Sequence, residues 1–131
     1  MSRRSSIFLT AAIGLLSATG LMELYCRTPL DVRLPPLQLP DEETLTLVFH
    51  GSVDADNPQF PRLIEVLGQE GKVVRFVRWD PWSDTRLRAA ASAQRAGEQV
   101  AEQLIAQWEK TGRLRNLKLI AHSSGAYVLD A

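Results

Sequence analysis

Three short apolar runs limit what this chain can fold into more than anything else in it. They are Thr44-Leu45-Thr46-Leu47-Val48-Phe49, the stretch Lys72 to Trp79 with Val73, Val74, Phe76 and Val77, and Leu117 to Ala121. Each is short, β-branched or leucine-rich, and bounded by turn formers, which is the pattern of a strand buried on both faces. Between them lie stretches with helical spacing. Pro61 suits a first helical turn, Leu63, Ile64, Val66 and Leu67 supply an apolar side, and Gly68 and Gly71 end that helix. After the second run, Asp80-Pro81-Trp82-Ser83-Asp84 breaks the strand, and Ser83 or Asp84 is an available cap for a long helix over Arg86–Lys110. In that helix Leu87, Ala90, Ala91, Gln94, Gly97, Val100, Ala101, Leu104, Ile105 and Trp108 form one stripe. Gly97 costs ~1 kcal/mol against alanine there, and close approach to a sheet is the expected return. Thr111-Gly112 closes the helix. Alternation of strand and helix means right-handed crossovers, so the expected fold class is α/β: a three-stranded parallel sheet with helices on both faces.

The N-terminus is a different kind of sequence. Arg3 and Arg4 precede a sixteen-residue uncharged run, Ile7 to Met22. That run fits the apolar region of a signal peptide, with small residues at Ala18 and Gly20 for cleavage after Gly20. Counting Ser5 and Ser6, it also fits an uncleaved anchor. Residues 1–27 are therefore expected to form an apolar helix that is either a signal peptide or a membrane anchor. In both cases Arg3 and Arg4 stay inside, and the rest of the chain is exported or membrane-anchored with its domain outside the cytoplasm. A buried soluble helix fits less well, because no polar residue interrupts the run to make an amphipathic face. Glu23-Leu24-Tyr25 before Cys26 is the wrong company for a lipidation box, which wants small residues. Residues 28–43, with Pro29, Pro35, Pro36 and Pro40, read as an extended Pro-rich linker, and Leu34, Leu37 and Leu39 are its candidates for resting on the domain surface.

Composition removes several function classes. Fifteen basic residues balance fifteen acidic ones, and no basic stripe carries interleaved aromatics, so nothing points to nucleic acid. One cysteine excludes an internal disulfide and a multi-cysteine metal site. Gly51-Ser52 and Ser123-Ser124-Gly125 lack the lysine of a phosphate loop and the spacing of a dinucleotide fingerprint, so no cofactor and no metal is expected.

Function in open parallel sheets collects beyond the carboxyl ends of the strands. Those ends are His50-Gly51-Ser52, Trp79-Asp80 and His122-Ser123-Ser124. The last is the most specific. A buried strand runs into Ala121-His122-Ser123-Ser124-Gly125 and then a helix start, close to the G-x-S-x-G of a nucleophile elbow, with alanine in place of the first glycine. A serine on such a corner is pushed out of the backbone into a cleft. Ser123 is the candidate nucleophile for attack on a carbonyl carbon. The backbone N–H groups of Ser124 and Ser52 are the candidate oxyanion donors, each worth about 3–4 kcal/mol in a transition state.

In the order and spacing of four pieces, residues Leu45 to Ala131 resemble the α/β-hydrolase superfamily, in its lipase and esterase branch related to pancreatic lipase. The pieces are Leu47-Val48-Phe49-His50-Gly51, Phe76-Val77-Arg78-Trp79-Asp80, Ala96-Gly97-Glu98-Gln99-Val100-Ala101, and Leu119-Ile120-Ala121-His122-Ser123-Ser124-Gly125-Ala126. The resemblance implies a partial α/β-hydrolase fold over residues 44–131, hydrolysis of carboxylic esters or lipids by Ser123, and a bracing role for His50 beside the oxyanion loop. It also implies a triad acid and a histidine on later strands, so the chain reads as the front part of such an enzyme: a truncated product, a fragmentary sequence, or a split chain with a partner. The alternative is a non-catalytic chain with at most a binding role.

Other residues have plainer readings. His122 is expected to point away from the Ser123 hydroxyl. Asp54 and Asp56 read as solvated turn residues, Trp79, Trp82 and Trp108 as packing, and Arg75, Arg78, Arg86 and Arg88 as a solvated face. The third strand is expected to leave an open apolar edge, which invites self-association or a partner chain.

Overall fold

The computed structural model describes residues 3–40, 42–52, 54–69, 71–113 and 116–131, with side chains from Gly14 onward. Strand β1, Thr44–Phe49, forms the centre of a three-stranded parallel sheet of order β2-β1-β3. β2 spans Val73–Val77 and β3 spans Asn116–Ala121. Leu45 pairs with Val73 on one side and Leu117 on the other, and Phe49 pairs with Val77 and Ala121. Five of the six β1 residues are buried, as expected for a strand covered on both faces.

Alternation along β1 divides the core in two. Leu45, Leu47 and Phe49 face a cluster with Val77, Trp79 and the alanines Ala89, Ala93 and Ala96 of helix α3, Ala89–Thr111. Val48 faces Phe60 and Val74, backed by Leu63, Ile64 and Leu67 of helix α2, Gln59–Gly68. The molecule is therefore mixed α/β, with α2 on one face of the sheet and α3 on the other. A single turn of 3₁₀ helix, Arg86–Arg88, leads into α3, and neither Ser83 nor Asp84 caps it; Thr85 takes that position without a side-chain bond. Gly112, at φ 65°, closes α3 in the left-handed conformation that glycine adopts freely.

Gly97 has a different neighbour from the one its sequence position predicts. A Cβ there would collide with the Val128 carbonyl and come within 2.5 Å of the Ala131 Cβ. The close approach is thus to the short helix α4, Ala126–Leu129, and the residues after it, not to the sheet. Small residues on α3 let α4 settle against it, and this packing holds the turn that precedes α4.

Helix α1 spans Arg3–Arg27. Leu15, Leu16, Leu21, Met22 and Leu24 are all exposed, and its apolar residues are distributed around the helix instead of along one face. Among the described residues no helix is long and apolar enough to cross a membrane; residues 7–13 of the uncharged run lie outside the described side chains.

The Pro-rich segment is docked along α3. Leu30 N–H donates to Ser92 Oγ at 3.2 Å, and Leu34 N–H to Gln99 Oε1 at 2.8 Å. Gln99 Nε2 returns a bond to Val32 O at 2.6 Å, and Leu37 N–H reaches Gln103 Oε1. Val32 is buried in the core, with Leu34, Leu37 and Leu39 packed against it. Proline-rich backbone cannot pair regularly with a strand, so side chains of α3 satisfy it. The arginines expected on a solvated face take part: Arg88 Nε donates to Thr28 O at 2.7 Å, and Arg75 Nε to Gln38 O at 3.1 Å.

Candidate functional site

The three strand ends converge as the topology requires. Ser123 stands at the turn from β3 into a 3₁₀ turn, Ser123–Gly125, that leads directly into α4. Its φ is 53°, the only positive φ of a non-glycine residue among those described. An L-residue in this region costs roughly 1–2 kcal/mol, so the surrounding structure must impose it. Two contacts do so. A Cβ on Gly125 would lie 2.6 Å from the His50 carbonyl oxygen and 2.9 Å from that of Phe49. A Cβ on Gly51 would lie 2.8 Å from the Ser123 Cβ and 3.1 Å from the His122 carbonyl oxygen. The end of β1 and the serine turn are pressed together with no room for a side chain on either glycine. Ser123 is exposed on the outer side of this contact.

Ser52 and Ser124, from the β1 and β3 loops, meet directly: their hydroxyls hydrogen-bond at 2.8 Å. This ties together the two loops whose backbone N–H groups are the candidate oxyanion donors.

His50 is completely buried. Its Nε2 accepts the Trp79 N–H at 3.1 Å, which places the ring proton on Nδ1, where it is donated to Gly51 O at 2.8 Å. Trp79 in turn donates its indole N–H to His50 O at 2.8 Å. With Nε2 an acceptor, the 3.6 Å approaches of the ring to Asp54 and Asp80 are not ion pairs. Both nitrogens are engaged in joining the β1 loop to the end of β2, a bracing geometry that leaves neither free to serve Ser123.

His122 and Asp54 form a pair that sequence reasoning missed. His122 Nδ1 lies 2.7 Å from Asp54 Oδ2. Asp54 is mostly buried, with its side chain 17% exposed, and is not a solvated turn residue; its second oxygen has no hydrogen-bond partner among the described residues. A carboxylate oxygen can only accept here, so Nδ1 of the imidazole carries a proton in this contact. Among the described residues no hydrogen bond joins this imidazole to Ser123; His122 is the last extended residue, and the chain turns at Ser123 with φ 53°. His122 instead borders a cavity of about 360 Å³ between α2 and β3, lined by Val48, Phe60, Leu63 and Ile120. The two residues are 68 apart in sequence, and no local spacing signals their meeting.

Beside this pair is an acidic hollow lined by Asp54, Asp56, Asp80, Asp84 and Arg78. Arg78 donates to Asp80 at 3.0 and 3.2 Å and to Asp56 at 3.0 Å. The hydrogen bonds from Arg78 hold the Asp80 carboxyl below the usual carboxylate range. Those to Asp80 first, and Asp56 second, hold the guanidinium charged more firmly still. Among the described residues no cluster of three or more His, Cys, Asp or Glu has metal-binding geometry.

The structure thus brings Ser52, Ser123, Ser124 and His50 to one end of the sheet, as the order of the strands predicts. A scan against protein-family models, a search of curated proteins and a search of solved structures each found no match for this chain.

Proposed function

We propose that this chain carries the nucleophile-bearing part of a serine-dependent carboxylic-ester hydrolase of the α/β-hydrolase type, held at a membrane or exported through its N-terminal helix. The observation that carries the reading is the backbone of Ser123: an exposed serine at φ 53°, on a strand-to-helix turn at the carboxyl edge of a parallel sheet. Strain of that kind persists where a side chain must be aimed. In this reading the Ser123 oxygen adds to the carbonyl carbon of an ester or lipid substrate and loses its proton to a base. The N–H groups of Ser124 and Ser52 receive the negative charge that develops on the carbonyl oxygen. The acid and histidine of a triad come from a longer chain or from a partner, one that covers the open edge of β3. The serine reverts to a weak nucleophile without them.

A second reading, a non-catalytic chain with a binding role, is favoured by one specific observation. Among the described residues neither histidine of the chain is hydrogen-bonded to Ser123: His50 has both ring nitrogens engaged, by Trp79 and Gly51, and His122 is held through Nδ1 by Asp54. A fluorophosphonate probe separates the two. It labels the wild-type chain and not Ser123→Ala if Ser123 is activated; a folded wild-type sample that stays unlabelled overturns an activated nucleophile in this chain and leaves the binding role.

A further inference from the structure

The docked Pro-rich segment has a fixed direction. Helix α3 follows β2 and leads into β3, so it runs antiparallel to the strands: its first residues lie at the end of the sheet that carries Ser123, and its last at the opposite end. The segment descends beside it in register, Leu30 on Ser92, Leu34 on Gln99, Leu37 on Gln103. Those contacts span about 16 Å of helix rise. The chain then enters β1 at the far end. The C-terminal end of α1 is consequently at the serine end. Arg88, just before α3, fastens it there. Its guanidinium donates to Thr28 O and Pro29 O at 2.7 and 2.9 Å and stacks over the Tyr25 ring at 5.2 Å.

We infer that α1 lodges in a lipid bilayer and that the docked segment holds the domain with its Ser123 end against the bilayer surface, so that the ester presented to Ser123 is an amphiphile in the membrane plane. The occupant of α1 is lipid because its exposed apolar residues surround the helix, giving a protein partner no single face to pack on, and because Arg3 and Arg4 precede the uncharged run as they would at an anionic headgroup layer. The inference rests on the membrane part of the proposed function. A flexible linker would leave the domain free to tumble. A segment bound by six side-chain hydrogen bonds, from Ser92, Gln99, Gln103 and Arg88, does not.

The test uses the full chain in vesicles of phosphatidylcholine and phosphatidylglycerol. An environment-sensitive fluorophore is placed at Tyr127→Cys, one turn past the serine, or at Lys110→Cys, near the end of α3, each with Cys26→Ser. Both positions are exposed. A headgroup-attached quencher is expected to quench the label at 127 several-fold more than that at 110, and Arg88→Ala with Gln99→Ala is expected to erase the difference while vesicle binding persists. Equal quenching overturns the inference. So does the inverse, which would put the exposed Ile105 and Trp108 against lipid, and so does failure to bind vesicles. Fluorophosphonate labelling of the same vesicles reads the hydrolase proposal separately: a labelled chain with equal quenching loses only the orientation, and an unlabelled chain with asymmetric quenching loses only the nucleophile.

Discussion

At residue scale the turn holding Ser123 owes its shape to the residues around it. Gly125 is 2.6 Å, by a would-be Cβ, from a backbone carbonyl that cannot step aside. Gly125→Ala is therefore expected to destabilise the fold by about 1–3 kcal/mol. Ser123→Gly removes the steric penalty of the positive φ while loosening the unfolded chain, so it should be neutral to stabilising by up to about 1 kcal/mol. Urea denaturation of both variants checks this, and a strongly destabilised Ser123→Gly would contradict a strained serine. Arg78 and Asp80 give a pH signature. Because the folded-state pKa of Asp80 is depressed, its contribution to stability is present above the unfolded value of about 3.9 and is lost as pH falls through the folded value. Both side chains are partly exposed, at 49% and 28%, so solvent screening keeps the effect small. Arg78→Gln should cost roughly 0.5–1 kcal/mol at neutral pH and nothing below the folded-state pKa of Asp80, measured by denaturation at a series of pH values.

At the scale of elements, the three strands and the helices between them were legible from apolar runs, helical spacing and turn residues. β1 has the bounds its sequence predicts, Thr44–Phe49, and β3 begins one residue earlier than expected, at Asn116. β2 is shorter than the apolar run around it, Val73–Val77, because Arg78 turns to Asp80 and Asp56, and Trp79 is drawn to His50. The docking of residues 28–40 was legible in part: Leu34, Leu37 and Leu39 were its expected contacts with the domain surface, and they pack there. Proline content correctly excludes a helix or a central strand, but the partners, Ser92, Gln99 and Gln103, are more than 60 residues away and ordinary for a helix surface. Gln99→Ala with Gln103→Ala removes three bonds to that backbone, at about 1 kcal/mol each. The expected outcome is faster amide exchange at Leu34 and Leu37 with α3 itself unchanged; unaltered exchange at both amides would mean that packing of Val32 alone holds the segment.

For the whole molecule, the sheet is asymmetric. β2 and β3 are both edge strands, but β2 buries Val74 and Val77 and exposes only Arg75, whereas β3 exposes Leu117 and Leu119 at 40% and 43%. An apolar edge of this kind templates further pairing. Leu119→Lys is expected to reduce concentration-dependent association measured by light scattering, with little change in the wild-type fold; association unaffected by that charge would locate the sticky surface elsewhere. How far the chain could be read without its structure follows the range of the interactions involved. Strand–helix alternation, the glycines at turns and the serine between β3 and α4 are set by neighbours within a few residues, where backbone sterics and hydrophobic period act directly, and the sequence determined them by itself. The gathering of the strand ends at one edge followed from a parallel sheet, whereas the order β2-β1-β3 is given by the structure. Only the tertiary structure decided which side chains meet across long separations: Asp54 with His122, Gln99 with the Pro-rich backbone, Gly97 with α4 instead of the sheet. Those meetings depend on relative positions of packed elements to within an ångström or two, a precision that periodicity does not carry.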